Sequence, residues 1–240
     1  MGAPVRALER AWERVAGSVA ARWVLCCEHA SAALPGPWPA EDLWLAETHW
    51  AWDPGAAWLT RALAAGLGAP AVLGRVSRLW VDLNRDAGAP DLLRDRAEGR
   101  AVSLNRGVGA QERQERVRRW HRPYHRELAA LVAAHRGAAV LSVHSFTPVY
   151  EGVRREVEIG VLYDRDRELA ERVHGALLAE GWRARLNEPY SGANGQMFSA
   201  HHHASGAGRA ALELEIRQDL LAVDGRAPAV LRALLGALRA

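Results

Sequence analysis

The 240-residue chain contains no lysine, and all 31 of its basic residues are arginine. Arginine does not titrate near neutrality, so a net charge of only +3 carries the sequence pI to 9.3. So small a surplus does not call for a nucleic-acid partner. Cysteine is nearly absent too, with only Cys26 and Cys27, side by side. Neighbouring cysteines rarely bridge each other, and no third or fourth cysteine exists for a thiolate zinc knot. The pair reads as two core thiols on opposite faces of a buried strand. No apolar run approaches the ~20 residues of a spanning helix, so no membrane partner is expected. Residues Met1 to Gly17 mix Arg and Glu with Ala, Val, Leu and Trp. That pattern reads as an amphipathic helix rather than a signal peptide, which makes the cytoplasm the expected location. No internal repeat and no low-complexity linker divides the chain, so one domain over residues 1–240 is expected.

What is present is a set of short apolar runs, several of which end in titratable residues. Trp23 to Cys27 is unbroken and runs straight into Glu28 and His29. A run without alternation reads as a strand buried on both faces, as in a parallel sheet. Ala71 to Val76, Ala138 to Val143, Glu158 to Tyr163, Arg183 to Leu186 and Ala210 to Ile216 read as further strands. Leu79 to Leu83 alternates and reads as another, with Trp80, Asp82 and Asn84 on its second face. Helical periodicity covers Ala56 to Leu67, Gln111 to His135, Arg165 to Glu180 and Ala227 to Leu238, with Pro123 expected to kink or split the second. Ala32 to Pro39, Asp86 to Gly109 and Tyr190 to Ser205 read as loops. Strands alternating with helices predict an α/β fold: a central mixed, largely parallel sheet with helices on both faces.

In such sheets ligands bind beyond the carboxyl ends of the strands. His29 and His144 each follow a buried strand there and could converge on one metal ion. Catalytic zinc takes three protein ligands and leaves one position open. Asp53, just before Pro54, is the best candidate for the third, with capping of the following helix as its competing role. Glu213 and Glu215 lie two apart on one face of an apolar strand, where a buried charge needs a partner. A glutamate beside a metal centre is a common general base, and a salt bridge with Arg217 is the alternative. Arg78, Asn84 and Arg85 bracket a strand and could grip a carboxylate, or else pair with Asp82 or Asp86. Arg94 to Arg126 is the one stretch that suits an arginine-rich nucleic-acid-binding module. It reads better as the solvated face of a helix.

Six segments then fall in an order that resembles the N-formylglutamate amidohydrolase family. They are Cys27-Glu-His-Ala-Ser31, Trp52-Asp-Pro-Gly-Ala56, Ser77-Arg-Leu-Trp-Val-Asp-Leu-Asn-Arg85, His144-Ser-Phe146, Asn187-Glu-Pro-Tyr-Ser-Gly192 and Glu215-Ile-Arg-Gln-Asp219. The resemblance runs from about Trp23 to about Leu221. It implies a fold similar to the zinc carboxypeptidases and zinc-dependent peptidoglycan amidases. It implies one zinc ion per chain, Zn2+ held by His29, Asp53 and His144, with Glu215 activating the water. Arg78, Asn84 and Arg85 would hold the carboxylate of a small-molecule substrate, and Tyr190 and His203 would border the pocket. The His-x-x-Glu ligand pair of carboxypeptidases is missing, so Glu28 or Glu47 competes with Asp53 as third ligand. The implied reaction is hydrolysis of a small N-acylated amino acid, with N-formyl-L-glutamate giving formate and L-glutamate, as in a histidine-breakdown route. A peptide or peptidoglycan amide is the alternative substrate.

Overall fold

The structure is a computed structural model and describes residues 8–193, 195–222 and 224–240. Its elements in chain order begin with β1 (Trp12–Val15), β2 (Trp23–Cys27), α1 (Ala56–Leu67) and β3 (Ala71–Gly74). A small hairpin follows, β4 (Arg96–Ala97) with β5 (Arg100–Ala101), and then α2 (Ala110–Arg116) and α3 (Arg122–Ala134). The long strand β6 (Ala139–Phe146) precedes a second hairpin, β7 (Val149–Tyr150) with β8 (Val153–Arg154). The rest is β9 (Ile159–Leu162), α4 (Arg167–Ala179), β10 (Ala184–Leu186), α5 (Phe198–Gly206), β11 (Ala211–Arg217) and α6 (Ala227–Arg239).

Seven strands form the central sheet in the order β1-β3-β2-β6-β11-β9-β10. Four pairings are parallel, and the edge pair β1–β3 and the pair β11–β9 are antiparallel. The mixed, largely parallel α/β sheet expected from the sequence is therefore present. Every residue of β2, β3, β9 and β11 is buried, which is why these strands read as runs rather than alternations. Helices α1, α4 and α6 pack on one face through Leu59, Leu63, Val173, Leu177, Val230 and Leu234. On the other face α3 and α5 pack through Tyr124, Leu128, Leu131, Ala200 and Ala204. Cys27 belongs to the first core and Cys26 to the second, as their adjacency on a strand requires. Burial pushes the Cys27 thiol up to about 12, which leaves it inert as a nucleophile. A third cluster gathers Leu45, Ala51, Leu79, Ala97 and Val102 with Trp38, Trp44, Trp50 and Trp52. No helix among the described residues is long and apolar enough to cross a membrane.

Three local expectations fail, each for a physical reason. The helix expected over Met1 to Gly17 falls partly on residues 1–7, outside the described residues, and Trp12–Val15 is a strand. The free edge of β3 captures it, pairing Trp12 with Gly74 through to Val15 with Ala71, and pairing overrides local propensity. Leu79 to Leu83 is not a strand. The hydroxyl of Ser77 accepts from Leu79 N, and Asp82 Oδ1 accepts from Asn84 N, so side chains bend the backbone into turns. The alternation was still meaningful, since Leu79, Val81 and Leu83 are all buried. The loop expected over Tyr190 to Ser205 ends in α5, whose Ser199, Ala200, His203 and Ala204 face inward. Its alanines and histidines carry no amphipathic stripe that would have marked it. The expected split of Gln111 to His135 is present: a π-helical turn, Val117–His121, separates α2 from α3. Pro123 lies directly after that turn and has no N–H to give the helical ladder.

The arginines between Arg94 and Arg126 serve the fold more than a partner. Arg116 is buried and bonds Glu112, Asn105 Oδ1 and the carbonyls of Trp80 and Leu104. Arg113 holds the carbonyls of Ala87 and Ala89, and Arg118 pairs with Glu115.

Candidate active site

Three neighbouring parallel strands, β2, β6 and β11, end at one edge of the sheet. The turn after β2 supplies Glu28 and His29. β6 supplies Ser142 and His144, and β11 supplies Glu213 and Glu215. Register sets them side by side, since Glu215 pairs with His144 and Glu213 with Ser142. Two close approaches depend on glycine. A Cβ on Gly74 would stand 2.2 Å from the carbonyl oxygen of Glu28, and one on Gly160 would stand 2.2 Å from that of Glu188. Gly160 thereby lets the Glu188–Tyr190 segment lie on β9 beside Glu215.

Asp53 joins this edge from the loop before α1, with its backbone N–H on the carbonyl of His29 at 2.9 Å. Its side chain caps no helix; α1 has no side-chain cap. Instead Asp53 Oδ2 lies 3.4 Å from His29 Nδ1 and 2.8 Å from His144 Nδ1. One ligand atom from each of His29, Asp53 and His144 falls within 4.8 Å of the others, and all three residues are buried. The imidazoles meet edge to face, with centroids 4.8 Å apart.

The outer nitrogens are also held. His29 Nε2 donates to Asp82 Oδ1 at 2.7 Å, and His144 Nε2 donates to Glu28 Oε2 at 3.0 Å. Glu28 accepts in addition from Ser142 Oγ at 2.6 Å and Tyr124 Oη at 2.9 Å. A carboxylate can only accept, so the Nε2 protons are fixed and the Nδ1 lone pairs are left for the centre. His144 Nδ1 then faces Asp53 with a lone pair against a lone pair, a contact that requires either a proton or a metal cation between them. The donor set therefore fits a metal ion, and two imidazole nitrogens with one carboxylate suit zinc.

A proton held by His144 would meet the same demand as a metal cation. Burial would lower the His144 imidazole, but the charge of Glu213 and bonds to Asp53 and Glu28 outweigh it and raise it well above the ordinary value. Burial would raise Asp53, but the charge of His29 and the bond from His144 hold it far below the usual carboxylate range. Glu28 behaves likewise, with His144 and Ser142 overcoming its burial. Burial drives Glu215 well above the usual range; the charge of His144 opposes this, and Asp53 and Glu213 reinforce it. Glu215 Oε2 is buried and has no hydrogen-bond partner among the described residues. A crowd of buried carboxylates with one unsatisfied oxygen is an environment short of positive charge.

A cleft of about 480 Å³ opens over the group, within the range of small-molecule sites. Arg78, Asn84, Arg85 and Tyr190 line it together with His29, Asp53, His144, Glu213 and Glu215. Arg78 lies 3.4 Å from both Asp53 Oδ1 and Asp82 Oδ2. The amide of Asn84 is clamped, its oxygen accepting from Ser199 N at 2.9 Å and its nitrogen donating to Glu213 at 3.2 Å. Arg85 pairs with Asp91 at 2.9 Å, and its carbonyl accepts from His121 Nε2 at 2.8 Å.

His203, expected to border the pocket, does not line it. It is buried on α5 with Nε2 2.9 Å from His125 Nδ1, because the helix turns it toward α3 instead of the sheet edge. Glu47 is exposed and lines no part of the cleft, and both oxygens of Glu28 are taken up behind His144. Sequence reasoning missed Asp82, Tyr124 and Ser142 as supports of the two histidines. For Asp82 a signal existed, since the alternation put it on the same polar face as Asn84.

The class is then defined: a mixed α/β protein whose carboxyl sheet edge gathers a buried His–Asp–His group, two buried glutamates and several arginines around one cleft. The chain belongs to the N-formylglutamate amidohydrolase family, whose sequence model matches residues 21–222. Among solved structures it is similar to gene product Atu2144 from Agrobacterium tumefaciens, at 31% identity and TM-score 0.85, covering 96% of this chain and 95% of that one. N-formylglutamate amidohydrolase from Ralstonia eutropha shares the fold at 20% identity and TM-score 0.69, over 95% and 96% of the two chains. A bacteriophage poly-gamma-glutamate hydrolase shares it at 11% identity and TM-score 0.52, over 97% and 90%. No curated protein sequence matches the chain.

Proposed function

We propose that the chain is a zinc-dependent amidohydrolase of small N-acylated amino acids, with N-formyl-L-glutamate, cleaved to formate and L-glutamate, as its leading substrate. The whole of residues 1–240 would act as one domain carrying one ion. The observation that carries this reading is the convergence of His29 Nδ1, Asp53 Oδ2 and His144 Nδ1 beneath a cleft that also holds Glu215. His29, Asp53 and His144 would hold the zinc, which when bound polarises the acyl carbonyl and acidifies the attacking water.

The remaining work falls to the side chains. Glu215 takes the proton of the water as its oxygen bonds to the acyl carbon, and delivers that proton to the amide nitrogen as the C–N bond breaks. Burial gives Glu215 the raised proton affinity that such a shuttle needs. Arg78, Asn84 and Arg85 hold the substrate carboxylate, and Tyr190 closes the side of the cleft. Asp82 and Glu28 keep both imidazoles in the tautomer that points Nδ1 inward. A second reading keeps the chemistry and replaces the substrate with a peptide amide, because Tyr150 and Tyr190, which line the cleft, are exposed to solvent.

The test is turnover of N-formyl, N-acetyl and dipeptide substrates by protein stripped of metal and then reloaded with zinc. Activity on N-formyl-L-glutamate is expected only after reloading. Glu215→Gln is expected to bind zinc normally and to lose roughly 10²–10⁴-fold in kcat. Full turnover by the stripped protein rejects the mechanism, and exclusive turnover of dipeptides selects the second reading.

A further inference from the structure

Not every cationic side chain of the cleft faces one of its carboxylates. Four arginines line it: Arg78, Arg85, Arg94 and Arg155. Arg78 and Arg85, read above as holding one substrate carboxylate, also have acidic neighbours in Asp53 and Asp82 and in Asp91. Arg94 and Arg155 make no ion pair among the described residues, although both are half-buried. An unpaired guanidinium on a partly desolvated wall is a standing demand for an anion.

Arg155 is the more firmly built of the two. It follows the β7–β8 hairpin, and its backbone N–H donates to Pro148 O at 2.9 Å. Its carbonyl accepts from Arg217 Nη1 at 3.0 Å. Arg217 is itself buried on β11, two residues beyond Glu215. The guanidinium is caged by three rings, with its carbon 4.8 Å from the centre of Tyr150, 5.1 Å from Tyr190 and 5.4 Å from Phe146. Nη1 donates to Tyr190 Oη at 3.0 Å, and the other side-chain donors have no partner among the described residues. Arg94, by contrast, rests on Trp50, 5.4 Å from its ring centre. Stacking fixes the plane of Arg155 without neutralising it, and a fixed planar fork is what a carboxylate matches in two places.

We propose that Arg155 is the specificity-determining residue of this cleft, taking a second carboxylate of the substrate while the Asn84–Arg85 side takes the first. The inference rests on reading the cleft as an N-acyl amino acid site, and it assigns the choice of an acidic side chain to one residue on the hairpin wall. A neutral amide in place of that carboxylate would leave the guanidinium unpaired, which is how a polar pocket rejects a near-isostere.

The test compares N-formyl-L-glutamate with N-formyl-L-glutamine in the zinc-loaded wild type and in Arg155→Gln, Arg155→Lys and Arg94→Gln. Thermal melts establish that each variant is folded. Arg155→Gln is expected to raise KM for the glutamate substrate by on the order of 10- to 100-fold, so that the preference over glutamine collapses toward one. Arg155→Lys should restore part of it, and Arg94→Gln should keep it. A preference that survives Arg155→Gln, or that disappears with Arg94→Gln instead, overturns the assignment. Calorimetric binding of glutarate against butyrate needs no turnover and separates the two levels of the argument. Arg155-dependent glutarate binding without hydrolysis of any N-formyl substrate upholds Arg155 and rejects the proposed reaction. Hydrolysis indifferent to Arg155 does the reverse, and indifference of both binding and turnover removes the proposal.

Discussion

Glu28→Gln is the perturbation that tests the centre most sharply, because it changes one charge and almost no volume. Glu28 is fully buried and accepts three hydrogen bonds, from His144 Nε2, Ser142 Oγ and Tyr124 Oη. Glutamine has one acceptor oxygen where glutamate has two. If that oxygen stays with Ser142 and His144, the new amide N–H points at Tyr124, whose hydroxyl can turn to accept. The fold then loses little, about 1–3 kcal/mol for a bond to a charged group. His144 loses more, since its Nε2 proton no longer faces a charge and its Nδ1 becomes a poorer donor to the centre. Removing such an outer carboxylate typically lowers metal affinity 10- to 100-fold. At a fixed zinc concentration well above Kd, a 100-fold loss removes about 2.7 kcal/mol of zinc-dependent stabilisation. Competition with a fluorescent chelator measures the affinity, and melts with and without zinc measure the stabilisation. Wild-type zinc affinity in a folded Glu28→Gln protein would refute the reasoning, since it would mean that the contact behind His144 is packing alone.

Asp82→Asn is expected to weaken zinc binding by a similar factor through His29, and the same chelator competition reads it. Gly160→Ala should be destabilising, because its methyl group would collide with the Glu188 carbonyl; a chemical melt matching wild type would contradict that contact. Stability should also fall in acid through the α3–α5 contact. Burial and neighbouring histidines lower His125 to about 2, and burial with His202 lowers His203 to about 4. Above pH 6.5 both the folded and unfolded chains carry these rings neutral, and nothing is lost. Below it the unfolded chain binds protons that the folded chain refuses, so stability declines until the folded values are reached. For His203 alone this amounts to about 3 kcal/mol by pH 4. Denaturant titrations from pH 8 to 4.5 should show a flatter decline in His203→Gln, and superimposable profiles would sink the idea.

The centre was legible because its residues come from buried strands that run straight into polar chemistry. Trp23 to His29 and Ala138 to His144 need only the rule that parallel strands deliver side chains to a common edge. Glu215 was legible because two carboxylates on an apolar strand cannot go unanswered. What stayed hidden depends on contacts far apart in sequence. Asp82 has its role only because its turn brings it to His29, and no spacing encodes a separation of 53 positions. His203 sits in a run of three histidines, and a helix decides which one points inward and toward what. Trp12–Val15 carries a helical charge pattern, yet an unfilled sheet edge recruits it as a strand.

Sheet polarity reverses between β11 and β9, and that reversal divides labour within the chain. The groups proposed to react sit at the ends of β2, β6 and β11 and in the loop before α1, whereas Arg155 follows a surface hairpin spliced between β6 and β9. Its tip residues Val149, Tyr150 and Val153 are exposed, and it meets β11 through the clasp of Arg217. The hairpin is therefore a cassette. Lengthening or exchanging residues 149–154 would recast which molecules the cleft admits while the His–Asp–His group beneath stays as it is.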